Sequence, residues 1–286
     1  MKFIMFSKHL EHLSYEELAD TIAGIGLDGV DLTVRSPGHV LPENVKTDLP
    51  KAAKAIRDRG LEVGWITTNI FSADAPHAAD ILATASDLGI TQFKLGYHKY
   101  DGFGNLKRQL AETHEAVRSI ERLCHKYDVC GGMHIHSGPY MSAVATIVGP
   151  LIEDFDPQAI GVYADFGHMG VEGSFGGWIQ GLDLVSDRLV MLALKNMGQF
   201  WEEDAKTGDY KWHRKLVPLE RGFTPYPEAF GYLKQIGYDG YASFHSEYQG
   251  AATWKHLEHD ELIEQTKADF AYVKGICADL GIPHGA

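Results

Sequence analysis

Cysteine is scarce: Cys124, Cys130 and Cys277 are the only three in 286 residues, an odd number without C-x-x-C spacing. That pattern builds neither a disulfide framework nor a cysteine zinc site, and a reducing compartment is expected. Long apolar runs are missing too, since no stretch approaches the roughly 20 residues of a bilayer-spanning helix. The opening Met1-Lys2-Phe3-Ile4-Met5-Phe6-Ser7-Lys8 is too short and too charged for a secretory signal, so a cytoplasmic location is the expectation. Positive charge is in deficit, with 26 Lys and Arg against 39 Asp and Glu and a formal net charge of -13. No basic stripe offsets it, which argues against a nucleic-acid partner and for a neutral or weakly charged small substrate. Linkers and low-complexity segments are absent. What is present is core material: 44% hydrophobic and 23% charged residues exclude collagen, coiled-coil and disordered chains. The length fits a single α/β barrel domain over residues 1–286.

Short β-rich runs recur at intervals of roughly 30 residues, each followed by a helical pattern, as repeated βα units and a parallel sheet require. There are eight: Phe3–Phe6, Gly29–Thr33, Leu61–Thr67, Gln92–Gly96, Gly132–His136, Gly161–Asp165, Leu189–Lys195 and Tyr241–His245. Eight such units close a (β/α)8 TIM barrel. Ser14 and Glu17 make a capping box ahead of Leu18, Ile22 and Ile25, and Gly24 or Gly26 stops that helix. Pro50, Pro76 and Pro227 are expected near other helix starts, and Gly60, Gly89 and Gly237 near helix stops. Gly24-Ile25-Gly26-Leu27-Asp28-Gly29 matches G-x-G-x-x-G, but between a helix and a strand, the reverse of the dinucleotide order. The longest irregular stretch runs from Met197 to about Phe223 and is a candidate lid on the catalytic face. Its Trp201, Tyr210 and Trp212 could stack on a sugar ring or simply pin the loop.

Alternation along a strand sends inward residues near each carboxyl end into the barrel mouth. His134 and His136 share a face of the fifth strand, as a metal pair or as two hydrogen-bonded barrel histidines. Asp165 ends the sixth strand, as ligand or helix cap, with His168 just beyond it. Ala193 and Lys195 come from the seventh strand; Ser243, His245 and Glu247 alternate from the eighth. Converging interior charges are costly unless they are paired, metal-bound or functional, and here a functional mouth is the expectation. Asp31, Thr33, Arg35, Lys94 and the loop residue His39 complete the set, positioned to grip hydroxyls or a carboxylate. A salt bridge between Lys94 and Asp31 competes with that use.

In order, Gly29-Val30-Asp31-Leu32, Asp165-Phe166-Gly167-His168, Leu194-Lys195-Asn196, Leu219-Glu220-Arg221-Gly222 and Gly237-Tyr238-Asp239-Gly240 resemble the sugar phosphate isomerase/epimerase family of xylose-isomerase-like barrels. The resemblance covers essentially the whole chain. It implies an enzyme on keto sugars and a divalent metal held by Glu, Asp, His and Glu from the fifth to eighth strands. Asp165 matches the ligand aspartate and His168 its companion. His134 and His245 stand where glutamates are expected, Ala193 where the ligand histidine is expected, and Lys195 keeps the lysine of that motif. The implied metal site is therefore altered: His134, Asp165 and His245 as ligands for manganese, cobalt, iron or zinc, or no metal with Lys195 as the positive charge.

The reaction expected is proton abstraction beside a carbonyl to give an enediolate, with the metal or Lys195 polarising the oxygen and Glu247 with one of His136 or His168 transferring protons. Arg35, His39, Lys94, Trp201 and Trp212 are expected to bind the sugar. A lyase or hydratase using the same intermediate is the nearest competitor, a non-catalytic sugar-binding barrel the next. A DNA-repair endonuclease on this scaffold conflicts with the charge of -13. Nothing in the sequence sets the oligomeric state, although a homodimer through exposed helix faces would be ordinary.

Overall fold

The eight β-rich runs form one closed parallel barrel in the computed structural model, which describes residues 1–285. Its staves are β1 (Lys2–Phe6), β2 (Gly29–Thr33), β3 (Glu62–Thr67), β4 (Gln92–Lys94), β5 (Cys130–His134), β6 (Ile160–Asp165), β7 (Leu189–Leu194) and β10 (Tyr241–Phe244), and β10 closes on β1. Eight helices lie outside: α1 (Tyr15–Ile25), α2 (Val45–Arg57), α3 (Ala78–Asp87), α4 (Leu106–Tyr127), α5 (Ala145–Ile152), α6 (Phe166–Val185), α7 (Tyr226–Ile236) and α8 (His259–Leu280). With helices on one face and the barrel interior on the other, the strands are buried on both sides, hence their nearly continuous apolar runs.

Alternation divides the core in two. Outward strand residues such as Val30, Leu32, Ile66 and Leu192 join the helices in one large apolar cluster. Inward residues Ile4, Trp65, Tyr163, Met191 and Ala193 fill the barrel as a second, smaller one. Above this floor the next inward positions are polar: Asp31, Thr67, Lys94, His134, Asp165 and Ser243, all buried. Register holds this layer together, because Asp165 lies beside Ala193, Ala193 beside Ser243, and Thr67 beside Lys94.

The Ser14–Glu17 capping box opens α1, and Gly26 ends it with a φ of 91°, a left-handed conformation that glycine adopts without a Cβ penalty. The G-x-G-x-x-G match is thus a helix stop. Two expectations need correction. Pro50 lies inside α2, not near its start; burial of Leu49, Ala52, Ala53 and Ile56 on one face outweighs the ladder bond that proline removes. The stretch from Met197 to Phe223 is largely regular: β8 (Asn196–Glu203) and β9 (Tyr210–Val217) form an antiparallel hairpin pairing Trp201 with Trp212. Asp204 caps its turn by accepting from the Lys206 and Thr207 amides, and Gly208 supplies a φ of 75°. No helix among the described residues is long and apolar enough to cross a membrane.

Candidate active site

A cavity of about 140 Å3 opens at the carboxyl ends of the strands, where βα loops gather in this architecture. At its base Asp165 is fully buried at the junction of β6 and α6, where it does two jobs. Oδ1 caps α6 by accepting from the His168 amide at 3.1 Å. Oδ2 faces His134 Nε2 at 3.2 Å, Lys195 Nζ at 3.4 Å and His168 Nε2 at 3.7 Å. Burial opposes its charge, but Lys195 and the hydrogen bond from His134 outweigh that and hold the carboxyl well below the usual aspartate range.

Lys195 follows β7 directly and is 3% exposed. Its carbonyl accepts from Tyr226 Oη at 3.0 Å, while the next residue, Asn196, is locked by donating to the Leu219 and Thr224 carbonyls. Gly167 makes the close approach of α6 possible, since a Cβ there would stand 3.0 Å from both the Lys195 carbonyl oxygen and its Cγ. The ammonium lies 3.0 Å from His168 Nε2 and 3.2 Å from Glu247 Oε1. Burial alone would lower its pKa, but Asp165 and Glu247 prevail and raise it, so Lys195 is a fixed cation.

Hydrogen bonding assigns the imidazoles. His168 Nε2 accepts from Lys195, so Nδ1 carries the proton and donates to Ser137 Oγ at 2.7 Å. His134 donates Nε2–H to Asp165 and accepts from Tyr97 Oη at Nδ1, 2.7 Å away. Burial lowers the pKa of both rings well below the ordinary value, keeping them neutral. His136 lies just beyond the end of β5 and donates Nδ1–H to the Ser137 carbonyl at 2.9 Å. Burial first, then Lys195, lowers its pKa to about 4, which leaves Nε2 a free lone pair on a cavity-lining residue. His245 has its Nε2 2.6 Å from Tyr163 Oη and 3.5 Å from Asp31 Oδ2, and its Nδ1 3.5 Å from Glu247 Oε1. Burial opposes charge there too, yet Asp31 and Glu247 raise its pKa above 6.5. Glu247 is held well below the usual glutamate range against burial, chiefly by Lys195.

Of the residues expected in the mouth, His134, Asp165, His168, Lys195, His245 and Glu247 form one contiguous network, with His136 stacked against His168 at 3.7 Å between ring centroids. Arg35 and Lys94 also line the cavity. The competing Lys94–Asp31 ion pair does not form; Asp31 instead accepts from Thr67 at 2.6 Å and Ser243 at 3.2 Å. Trp201 and Trp212 lie 55% and 63% exposed on the hairpin, stacked edge-on against each other and outside the cavity wall. Their place in the ladder, not a sugar ring, accounts for them.

His39 likewise leaves the site: it bonds Thr33 and the Leu10 carbonyl and does not line the cavity. Burial lowers its pKa from 6.5 to about 4, so the unfolded chain takes up this proton first. Its contribution to stability is therefore full above pH 6.5 and is lost as the pH falls toward 4. In urea titrations across that range, the advantage of wild type over His39→Gln is expected to shrink as the pH drops. A gap independent of pH would refute the assignment.

Tyr163, Tyr97 and Lys8 belong to the cavity wall without having been expected there. Tyr163 stands two residues before Asp165 on β6, so strand alternation alone carried the signal. Tyr97 sits in a loop and Lys8 in the one-turn 3-10 helix Ser7–Leu10, where no periodicity marks them.

The divalent metal implied by the resemblance meets a poor donor set. Ala193 offers no ligand atom, an ammonium already stands 3.4 Å from Asp165 Oδ2, and the ring centroids of His134 and His245 lie 6.1 Å apart with Tyr163 against both. Among the described residues no three His, Cys, Asp or Glu side chains converge as a metal site. His134, Asp165 and His245 therefore do not fit as a ligand triad for manganese, cobalt, iron or zinc.

A family profile described as a xylose isomerase-like TIM barrel matches residues 19–272. Solved structures with the same fold include D-psicose 3-epimerase from Clostridium cellulolyticum H10, with TM-score 0.72, 14% identity, and coverage of 96% of this chain and 99% of that one. A 3-keto-D-glucoside 4-epimerase from E. coli matches with TM-score 0.67 and 13% identity over 96% and 99% of the two chains. A probable 3-DHS dehydratase of petrobactin synthesis from Bacillus anthracis matches with TM-score 0.69 and 15% identity over the same shares, 96% and 99%. No curated protein sequence matches the chain.

Proposed function

The chain belongs to the xylose isomerase-like TIM barrel family, and we propose that it is an isomerase or epimerase that forms an enediolate on a keto sugar, with Lys195 as the group that polarises the carbonyl. The observation that carries this reading is the Lys195 ammonium, buried at the cavity wall and held charged between Asp165 at 3.4 Å and Glu247 at 3.2 Å. A preorganised cation in a poorly solvated mouth stabilises oxyanion charge as it develops, without reorganising. Lys195 turns the N–H that makes its long 3.4 Å approach to Asp165 toward the carbonyl oxygen and donates to it. His136, neutral with an open Nε2, takes the proton from the adjacent carbon and gives it back as the imidazolium, while Glu247, held ionised by Lys195, accepts and passes on the proton of the neighbouring hydroxyl. His168, occupied at both nitrogens, positions Lys195 without reaching the sugar. Returning the proton to a different carbon or face completes isomerisation or epimerisation with no change in mass.

Dehydration through the same enediolate is the second reading, favoured by His245: Asp31 and Glu247 favour its protonated form against burial, and it lines the cavity where a departing hydroxyl would take up a proton. Incubation in deuterium oxide with a panel of keto sugars separates the two. Deuterium gained on an intact skeleton supports isomerase or epimerase action, and loss of one water supports the lyase. Exchange that survives undiminished in both Lys195→Met and Glu247→Gln would sink the mechanism.

A further inference from the structure

The chain carries a net charge of -13, yet four basic side chains, Lys8, Arg35, Lys94 and Lys195, face the cavity against one carboxylate, Glu247. These cations are not equivalent. Lys195 and Lys8 both pair with Glu247, at 3.2 Å and 3.0 Å, and Lys195 also has Asp165. Arg35, just past β2 and next to the β1 end that leads to Lys8, and Lys94, at the end of β4, form no ion pair among the described residues. Arg35 has its guanidinium 5.8 Å from the Phe6 ring centroid and leaves a buried Nε without a partner. Lys94 is 1% exposed; its Nζ sits 3.6 Å over the Tyr97 ring, and its one polar contact is a long 3.5 Å approach to the Thr68 carbonyl.

Burying a cation without a counter-charge is costly, and a three-donor ammonium with one weak acceptor is left largely unsatisfied. Asp31, the carboxylate that could have served, is committed to Thr67, Ser243 and His245. Burial first, then Arg35, pushes the Lys94 pKa well below the ordinary lysine value, with Asp31 compensating only in part, so a bound anion would restore the ammonium.

We propose that Arg35 and Lys94 form an anion subsite, and that the keto-sugar substrate carries a carboxylate that docks there while its carbonyl faces Lys195. This rests on the reading of the mouth as a keto-sugar site. The planar guanidinium fork matches a carboxylate bidentately, and the ammonium adds a second, adaptable donor. In a chain with a net charge of -13, basic side chains gathered at one cavity favour an anion there.

Calorimetric binding of 5-keto-D-gluconate, D-fructose and D-fructose 6-phosphate to the full chain tests the subsite without requiring turnover. The ketogluconate is expected to bind at least about ten-fold tighter than fructose, the scale of a charge-assisted hydrogen bond. That ratio should collapse toward one in both Arg35→Gln and Lys94→Met and recover in part in Arg35→Lys, with thermal melts confirming that each variant is folded. Equal affinities, no binding of either acid, or a preference that persists in both folded variants overturns the proposal. Tighter binding of the phosphate ester than of the ketogluconate overturns the choice of carboxylate. Failure of deuterium exchange alone leaves a measured anion preference standing. Absence of the preference in a wild-type enzyme that exchanges deuterium removes the subsite and spares the mechanism.

Discussion

Replacing Lys195 with methionine is expected to lower kcat/KM for deuterium exchange by about a thousand-fold or more, since loss of a single neutral oxyanion donor already costs about a hundred- to a thousand-fold. Methionine fills a similar volume, so the loss isolates the charge. It does so imperfectly, because Asp165 and Glu247 lose the ammonium that holds both carboxyls ionised. Chemical rescue separates the two consequences. Ethylammonium added to Lys195→Ala can re-enter the space beside Asp165 and Glu247 and restore the missing donor. Partial, saturable recovery of exchange is expected of a group that touches the reacting oxygen. A purely structural lysine would return stability with added amine and no exchange, and that result would remove Lys195 from the chemistry.

The network around Lys195 was unevenly legible in the sequence. Asp165 ends a strand with a strong apolar run and Lys195 directly follows another, while His134 ends β5, Cys130-Gly131-Gly132-Met133-His134, where alternation with His136 was the signal; in each case alternation placed the residue in the mouth with no knowledge of loop shape. Gly29–Thr33 was readable to the residue for the same reason. What alternation cannot supply is pairing. His134 and His245 both point inward, but the sequence does not reveal that Tyr163 stands between them, stacked on one ring at 4.2 Å and bonded to the other at 2.6 Å. Nor does it reveal that Asp31 pairs with His245 and leaves Lys94 uncompensated. A ligand triad and a hydrogen-bonded relay share the same residue types, and only the distances distinguish them. The hairpin escaped for another reason. Asn196–Glu203 alternates in burial, but with polar residues on both faces and only one face half covered it lacks the apolar period that marks a barrel strand. Its usable signals were Trp201 and Trp212 flanking a Thr207-Gly208 turn, aromatic β-formers on either side of a turn residue.

Asp165→Asn should be the most destabilising single exchange in the mouth. The carboxylate is fully buried, caps α6, and is the shared counter-charge for Lys195 and the acceptor for His134. Its loss strands the ammonium with Glu247 alone and leaves a helix-cap contact weaker by a charge. Removing one partner of a buried ion pair typically costs about 3–5 kcal/mol, against about 1 kcal/mol for an exposed one. For a chain of this size that corresponds to a fall of roughly 10 °C in Tm. The pH dependence fixes the cause. Because the folded pKa of Asp165 lies below its ordinary value of 3.8, the stability it contributes is fully present above that pH and is lost as the pH falls below it toward the folded value. The gap between wild type and Asp165→Asn in chemical unfolding should therefore be constant from pH 7 to about 5 and narrow in more acid solution, as the wild-type carboxyl also becomes neutral. A gap under about 1 kcal/mol at pH 7 would mean that Lys195 finds sufficient compensation in Glu247. A large gap that did not narrow in acid would assign the loss to the geometry of the α6 cap rather than to charge.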